Sequence, residues 1–438
     1  MAEKKPNIRF KGFEEEWEDK SFADAYKSAA EGGTPSTSVK DYYVGGSIPF
    51  VKIEDTEQKY IHDTASHITE KGMNNSSAWL IPSNSIIFTN GATIGNVAIN
   101  KVPVTTKQGI LGVIQDTSKF DLEYLYYALS TDEFQTEVEK RQSKGTFATI
   151  ILRNLDKIDI AHTSLPEQRK IGEFFKQLDE LIGAKEQELE KLRQIKLALL
   201  DKMFPSDSQD NINGGGKSLI YKMLQNSSQL VVSSPAPNTP TIRFRGFTEP
   251  WEKYLISRRV TYGKGRGYSK ANLQQSGTPI LLYGTLYTDY NTNITEVDRY
   301  STKKEWAVIS KGNEVVVPAS GETAEDIARA SAILKAGIIL GGDLNIIYPD
   351  DKLDASFLAL ELTYGNSHRK LVKKAQGVSV VHLHNTDISE LEINVPSYNE
   401  QRKIGDFFRS QDEAIANSQL QINKLKTIKQ ACLSQMFA

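Results

Sequence analysis

The chain has 438 residues, 39% hydrophobic and 25% charged, with 30 glycines and 15 prolines, a soluble globular composition with room for two or more cores. A single cysteine, Cys432, excludes an intramolecular disulfide framework and any zinc site built on several thiols. The net charge of -2 lacks the positive excess by which duplex-binding proteins displace condensed counterions, so a nucleic-acid role has to rest on local basic patches.

The N-terminus, MAEKKPNIRFKGF, has no apolar core of a signal peptide, and no apolar run approaches the roughly 20 residues of a membrane span, so a cytoplasmic location is expected. PNIRFKGFEEEWE (6–18) returns as PTIRFRGFTEPWE (240–252), nine identities in thirteen positions at an offset of 234. At 81–99, IPSNSIIFTNGATIGNVAI predicts a strand, an exposed Gly-punctuated loop and a second strand. The helical pattern DLEYLYYALSTDEFQ follows at 121–135, and then VEKRQSKG (138–145) sets basic residues just before a glycine.

EQRKIGEFFKQLDE (167–180) opens a long helix that returns as EQRKIGDFFRSQDE (400–413), ten identities in fourteen at an offset of 233. From Glu167 to Phe204 the helix measures roughly 57 Å at about 1.5 Å per residue, longer than a small core can bury, and such helices pair with one another. With Ile171 labelled a, Ile171, Leu178, Leu192 and Leu199 fall at a, Phe174, Leu181 and Ile195 at d, and Phe175, Ile182, Leu189 and Met203 at e; the second copy carries the same apolar stripe. Both copies turn polar midway, at Lys185 and Glu188 and at Ser418 and Gln421. In an antiparallel pair these four predict one central polar layer that disfavours slipped registers.

Pro205 stops the first helix, and PSDSQDNINGGGKS (205–218) and SSPAPNTP (233–240) read as linker. The second half repeats the order: ISKGNEVVVPASGETAEDIA (309–328) is again strand, loop, strand, and DASFLALELTYGNSHRKL (354–371) leads into the basic VKKAQG (372–377). Two anchors at nearly one offset mean duplication of a whole domain rather than a short-repeat array. The expected class is α+β: mixed α/β domains at 1–163 and 240–395, long helices at 164–204 and 396–438, and a linker at 205–239.

Catalytic patterns do not hold up. The first glycine of a phosphate loop ending in Gly216-Lys217-Ser218 falls at Asn211, GKGRG at 263–267 lacks the dinucleotide spacing, and no Pro-Pro dipeptide of an amino-methyltransferase is present. PDDK at 349–352 reads better as a Pro-Asp turn than as nuclease carboxylates. His382 and His384 share a strand face without further evident ligands. No metal and no cofactor is expected.

The duplicated EQRKIG-FF helices, the IRFKGF and IRFRGF starts and the paired strand-loop-strand segments resemble specificity subunits of type I DNA restriction and modification systems, across essentially the whole chain. The resemblance implies two target recognition domains, each reading one half of a split site, and two long helices forming an antiparallel coiled-coil spacer with pseudo-twofold symmetry. It implies double-stranded DNA, two methyltransferase subunits and, in the full complex, two restriction (nuclease-translocase) subunits as partners, with no catalysis by this chain. A rod of this length spans at most about 17 base pairs at about 3.4 Å each, and unlike variable regions imply unlike half-sites. The family's Gly-Ser-Thr-Gln-like turn is matched here only at its glycine, in GTFA from Gly145 and GVSV from Gly377.

On this reading Lys140, Arg141, Lys144, Arg369, Lys373 and Lys374 are expected on phosphates, and Asn90, Thr93, Gln108, Ser320, Glu322 and Thr323 at base edges. A solvated charge run and turn-forming polar loops are the plainer alternatives. Tyr42, Tyr43, Tyr283, Tyr287 and Tyr290, with Lys264, Arg266 and Lys270 of YGKGRGYSK, could support those contacts or simply pack. Partner subunits are expected on exposed faces at Glu167, Gln168, Arg169 and Lys170 and at Glu400, Gln401, Arg402 and Lys403, because two identical partners require a repeated surface. Helix-start chemistry is the competing explanation. Two other functions stay open: a self-sufficient modification or restriction enzyme, and a coiled-coil scaffold that binds proteins.

Overall fold

The computed structural model describes residues 6–143, 148–205, 228–233, 238–288, 290–375 and 380–437. Lys144, Gly145, Gly377 and the NGGGKS run at 213–218 lie outside the described residues. The chain forms two units, 1–186 with 420–438, and 187–419. Among the described residues no helix is long and apolar enough to cross a membrane.

In the first unit a five-stranded sheet runs in the order Tyr26–Glu31, Ile110–Gln115, Ile86–Thr89, Val97–Asn100, Tyr60–Ile61. Every neighbour is antiparallel except the last, which lies parallel to Val97–Asn100. Ile86, Ile87, Phe88 and Val97, Ala98, Ile99 are buried throughout, so these strands read as continuous apolar runs instead of alternating ones. A smaller sheet joins His67–Ile68, Ile48–Val51 and Thr105–Thr106, and Glu18–Ser21 pairs with Asp159–His162. Helices Leu122–Leu129 and Asp132–Arg141 cover the large sheet, with Phe22, Phe88, Tyr124, Tyr127 and Phe134 in the core.

The second unit reaches the same topology with other letters. Its five strands run in the equivalent order, Val260–Lys264, Leu344–Pro349, Glu314–Pro318, Ser331–Ile333, Asn293–Ile294, again with one parallel pair at the end. Glu252–Leu255 pairs with Glu392–Val395 as Glu18–Ser21 does with Asp159–His162. A strand ladder requires only backbone groups and buried apolar faces, so the architecture persists where side-chain identity does not.

The long helices span Leu165–Lys202 and Tyr398–Met436. Within the first unit Phe437 packs on Phe175 at 6.1 Å and Tyr124 at 5.1 Å, Lys429 pairs with Asp179 at 2.6 Å, and Lys426 pairs with Glu186 at 2.7 Å. Partners descend on one helix as they ascend on the other, so the helices run antiparallel there. Within the second unit the same holds: Arg193 donates to Gln419 at 3.1 Å and Lys196 pairs with Asp412.

The buried seam follows Ile171, Phe175, Ile182, Leu189 and Ile404, Phe408, Ile422, Met436, while Leu181 and Ile428 are exposed. A step of four from Ile171 to Phe175, and steps of seven on to Ile182 and Leu189, define an a/d seam with Ile171 at d and Phe175 at a, one step away from the labelling read from sequence. Lys196 and Lys429 then occupy equivalent a positions, each meeting an aspartate of the facing helix. Of the four residues expected in a central polar layer, Lys185 and Ser418 stay in the seam at half-buried d positions, whereas Glu188 and Gln421 face solvent.

Candidate nucleic-acid interface

The repeated letters turn out to be fastenings. Glu167 is fully buried, takes two bonds from Arg9 at 2.7 and 2.8 Å, and accepts a third from Trp17 Nε1 at 3.2 Å. In the second unit Arg243 grips Glu400 at 2.6 and 2.8 Å. Gln168 accepts from Asp121 N at 2.8 Å and donates to Lys119 O and Thr163 O. Gln401 repeats this with Asp354 N at 2.9 Å, Lys352 O and Pro396 O. Asp121 and Asp354 are themselves the N-caps of Leu122–Leu129 and Ala355–Tyr364, so each glutamine fixes a capped helix against the start of a long one.

Lys170 lies over Phe10 at 5.1 Å and Lys403 over Phe244 at 5.0 Å, which accounts for the aromatics of IRFKGF and IRFRGF. Glu167, Gln168, Glu400 and Gln401 are therefore not on exposed faces, which corrects the expectation drawn from their repetition: buried carboxylates need partners, and these have them. Of each quartet only Arg169 and Arg402 are exposed without such an internal fastening.

Gly172 and Gly405 complete the motif. A Cβ on Gly172 would sit 2.8 Å from Tyr124 N, and one on Gly405 would sit 2.9 Å from Ser356 Cβ. Gly405→Ala is expected to cost about 1–3 kcal/mol by overpacking, read as a lower urea midpoint of the second unit.

In each unit the variable loop meets the segment that follows the basic run, remote from it in sequence. In the first, Gly91 bridges Thr149 just beyond the basic turn, Ile150 N donates to Asn90 O at 2.9 Å, and Asn90 N and Gly91 N both donate to Gly109 O. Gly109 holds φ at +85° and its Cα lies 3.2 Å from where a Gly91 Cβ would be, a crossing only glycines allow. In the second unit Ser320–Gly321 pairs with Val381–His382, Leu383 N donates to Ala319 O at 3.0 Å, and Ala319 N donates to Asp343 O at 2.8 Å. Asp343 takes the left-handed conformation of Gly109, with φ at +57°.

The predicted readers divide. Thr93 and Gln108 are exposed beside the first crossing, and Glu322 and Thr323 beside the second, Thr323 also capping helix Ala324–Ile327. Asn90 is 5% exposed and its Nδ2 donates to Ile150 O at 3.2 Å; Ser320 is buried and donates to Asp343 Oδ2 at 3.2 Å. Both side chains hold the crossing instead of facing outward, because buried polar groups take internal partners.

Of the predicted cations among the described residues, three are neutralised. Lys140 and Arg141 both pair with Glu137 and hold its carboxyl down to about 2, and Lys374 pairs with Glu390 and lowers that carboxyl too. Lys373 and Arg369 are exposed on helix Asn366–Lys374. His382 and His384 stack in parallel with ring centroids 6.4 Å apart, and among the described residues no group of three or more His, Cys, Asp or Glu is placed to hold a metal.

Two α+β units of one topology, each fastened by the same Arg-Glu and Gln-cap contacts and each carrying its own loop cluster, define a duplicated scaffold with two unlike faces. The family model described as type I restriction modification DNA specificity domain matches residues 14–194 and 248–427, and the chain belongs to that family. It is 34% identical over 192 residues to the type I restriction enzyme MjaIX specificity subunit of Methanocaldococcus jannaschii, an alignment covering 43% of this chain and 44% of the relative. To the type I restriction enzyme HindI specificity subunit of Haemophilus influenzae it is 34% identical over 147 residues, 33% of this chain and 31% of that one. Less than half the length of each of these relatives is thus aligned. The crystal structure of a type I restriction-modification S subunit from M. genitalium shares the fold over 99% of both chains, with a TM-score of 0.59 and 14% identity.

Proposed function

We propose that this chain is the non-catalytic recognition subunit of a type I restriction and modification complex, reading a bipartite, asymmetric duplex site with one unit per half-site. The observation that carries this is the contrast between a repeated frame and unlike loop clusters set on it: Arg9–Glu167 and Arg243–Glu400 hold equivalent places, while Asn90-Gly91 in one unit stands where Ala319-Ser320 stands in the other. Identical frames orient two readers alike, and different loops give them different sequences to read. Thr93 and Gln108 face one half-site and Glu322 and Thr323 the other, with Lys140, Arg141, Arg369, Lys373 and Lys374 along the backbone. Lys144, next to the first turn, joins that set from the sequence alone. The complex acts on chromosomal DNA and hence in the cytoplasm.

Methyltransferase and restriction subunits supply the chemistry, and the chain docks the methyltransferase pair through its repeated exposed arginines, Arg169 and Arg402. The paired substitution Arg169→Glu/Arg402→Glu should weaken co-purification of the methyltransferase at least tenfold while leaving the circular dichroism of the chain unchanged. Unimpaired co-purification would remove the arginines from the docking surface.

The function itself is tested by duplex retention of the chain together with its methyltransferase partner, alongside S-adenosylmethionine turnover by the chain alone. Sequence-selective retention without turnover supports the reading. Turnover by the isolated chain would make it an enzyme, and retention of no duplex would leave a protein-binding scaffold.

A further inference from the structure

We propose that the second unit carries a phosphate-binding strip for duplex DNA, made of Lys264, Arg266 and Lys270 on one segment and Lys303 and Lys304 on another, around the exposed indole of Trp306. The proposal rests on the DNA-reading function above and adds to it where the non-specific part of the affinity comes from.

Tyr268 joins the two segments. Its hydroxyl accepts from Lys304 N at 2.9 Å and donates to Thr302 O at 3.1 Å, and its ring lies 5.1 Å from that of Trp306. Lys304 Nζ stands 5.0 Å from the Trp306 ring and 5.6 Å from Tyr268. Gly267, at φ +58°, leaves no room for a side chain, since a Cβ there would meet the indole at 2.8 Å. A tryptophan 40% exposed is thus propped upright among cations instead of packed away, presenting a flat apolar face of the kind that suits a deoxyribose edge.

All five cations are exposed, and among the described residues none of them forms an ion pair; Glu305 is the acid beside them in sequence. Lys140, Arg141 and Lys374, by contrast, already have carboxylate partners, and a phosphate would have to displace those. Unpaired cations are the ones whose approach to DNA releases counterions at no such cost.

The strip is continuous with the second loop crossing: Gly265 N donates to Leu344 O at 2.9 Å, next to Asp343, which receives Ala319 N and the Ser320 hydroxyl. At the position of Lys264 the first unit carries an acid instead. Lys264 faces Asn345 in its ladder, whereas in the matching ladder of the first unit Glu31 faces Leu111 and accepts from Gly109 N at 2.6 Å.

The test is duplex binding across a salt series by the full chain assembled with its methyltransferase partner, using one duplex with the methylated motif and one scrambled duplex of equal length. Lys264→Gln/Arg266→Gln/Lys270→Gln should weaken both duplexes by the same factor, at least tenfold, and flatten the slope of log K against log salt by up to about 0.9 per cation removed. Lys303→Gln/Lys304→Gln should do the same on a smaller scale, with the methylated motif unchanged in both. An unaltered slope in both variants overturns the strip, and so does a changed base preference, which would make these residues readers. If the unmutated complex retains neither duplex, the DNA-reading function fails together with the strip, an outcome distinct from a parent that binds and variants that match it.

Discussion

Replacing residues 20–160 with the corresponding segment of another specificity subunit is expected to change one half of the methylated motif completely and to leave the other half and the spacing between them intact. The exchanged segment contains the whole five-stranded sheet of the first unit and both strands that approach the Gly91–Gly109 crossing. It excludes Arg9, Glu167 and the long helices, which set the frame. The junctions fall in the strands Glu18–Ser21 and Asp159–His162, which pair with each other, so the graft is closed by a ladder that depends on backbone alone. Methylome sequencing of the host reads the outcome. Change in both halves would mean that the units do not read independently.

The second large effect is on stability. Arg243 and Glu400 side chains are 3% and 1% exposed and joined by two charge-assisted bonds. Glu400→Gln keeps the shape and removes the charge, leaving a buried guanidinium without its counterion; breaking such a pair from one side costs about 3–5 kcal/mol. Hydrogen exchange should localise the loss, with amides of Ile242–Phe244 and the first turns of the second long helix exchanging about two to three orders of magnitude faster. The double substitution Arg243→Met/Glu400→Leu should recover most of the protection, since replacing both partners with apolar groups removes the uncompensated charge. A Glu400→Gln chain with unchanged exchange would show that the pair does not hold the anchor to the helix.

The anchors were legible in the sequence because their job is done by side chains: Arg9 with Glu167, Gln168 with the Asp121 cap and Gly172 against Tyr124 each need one residue type, and each recurs in the second copy. What the letters did not reveal was burial. A repeated Glu-Gln-Arg-Lys looks like a charged surface until Arg9 and the caps are placed against it, and the pairs lie 158 and 47 residues apart. The shared topology of the variable regions was only partly visible, because strands of equal order such as Ile86–Thr89 and Glu314–Pro318 have in common their burial and their ladders, not their side chains.

The loop-to-turn crossings were out of reach for the same reason, being backbone bonds such as Ile150 N to Asn90 O across 60 residues. The ion pairs of the first basic run, by contrast, were within reach of the sequence. Glu137 precedes Lys140 by three and Arg141 by four, the spacing at which helical ion pairs form, and both cations are in fact held by it. KKEW at 303–306, next to an aromatic-rich basic loop, is the sequence signal for the unpaired cations.

The most direct test is single-molecule methylation mapping of a host carrying this chain with its methyltransferase partner, compared with the same host lacking the chain. Two unlike defined blocks separated by a degenerate gap, present only with the chain, are the predicted motif. A palindrome, one contiguous block, or methylation that persists without the chain would contradict the assignment of one reader to each unit.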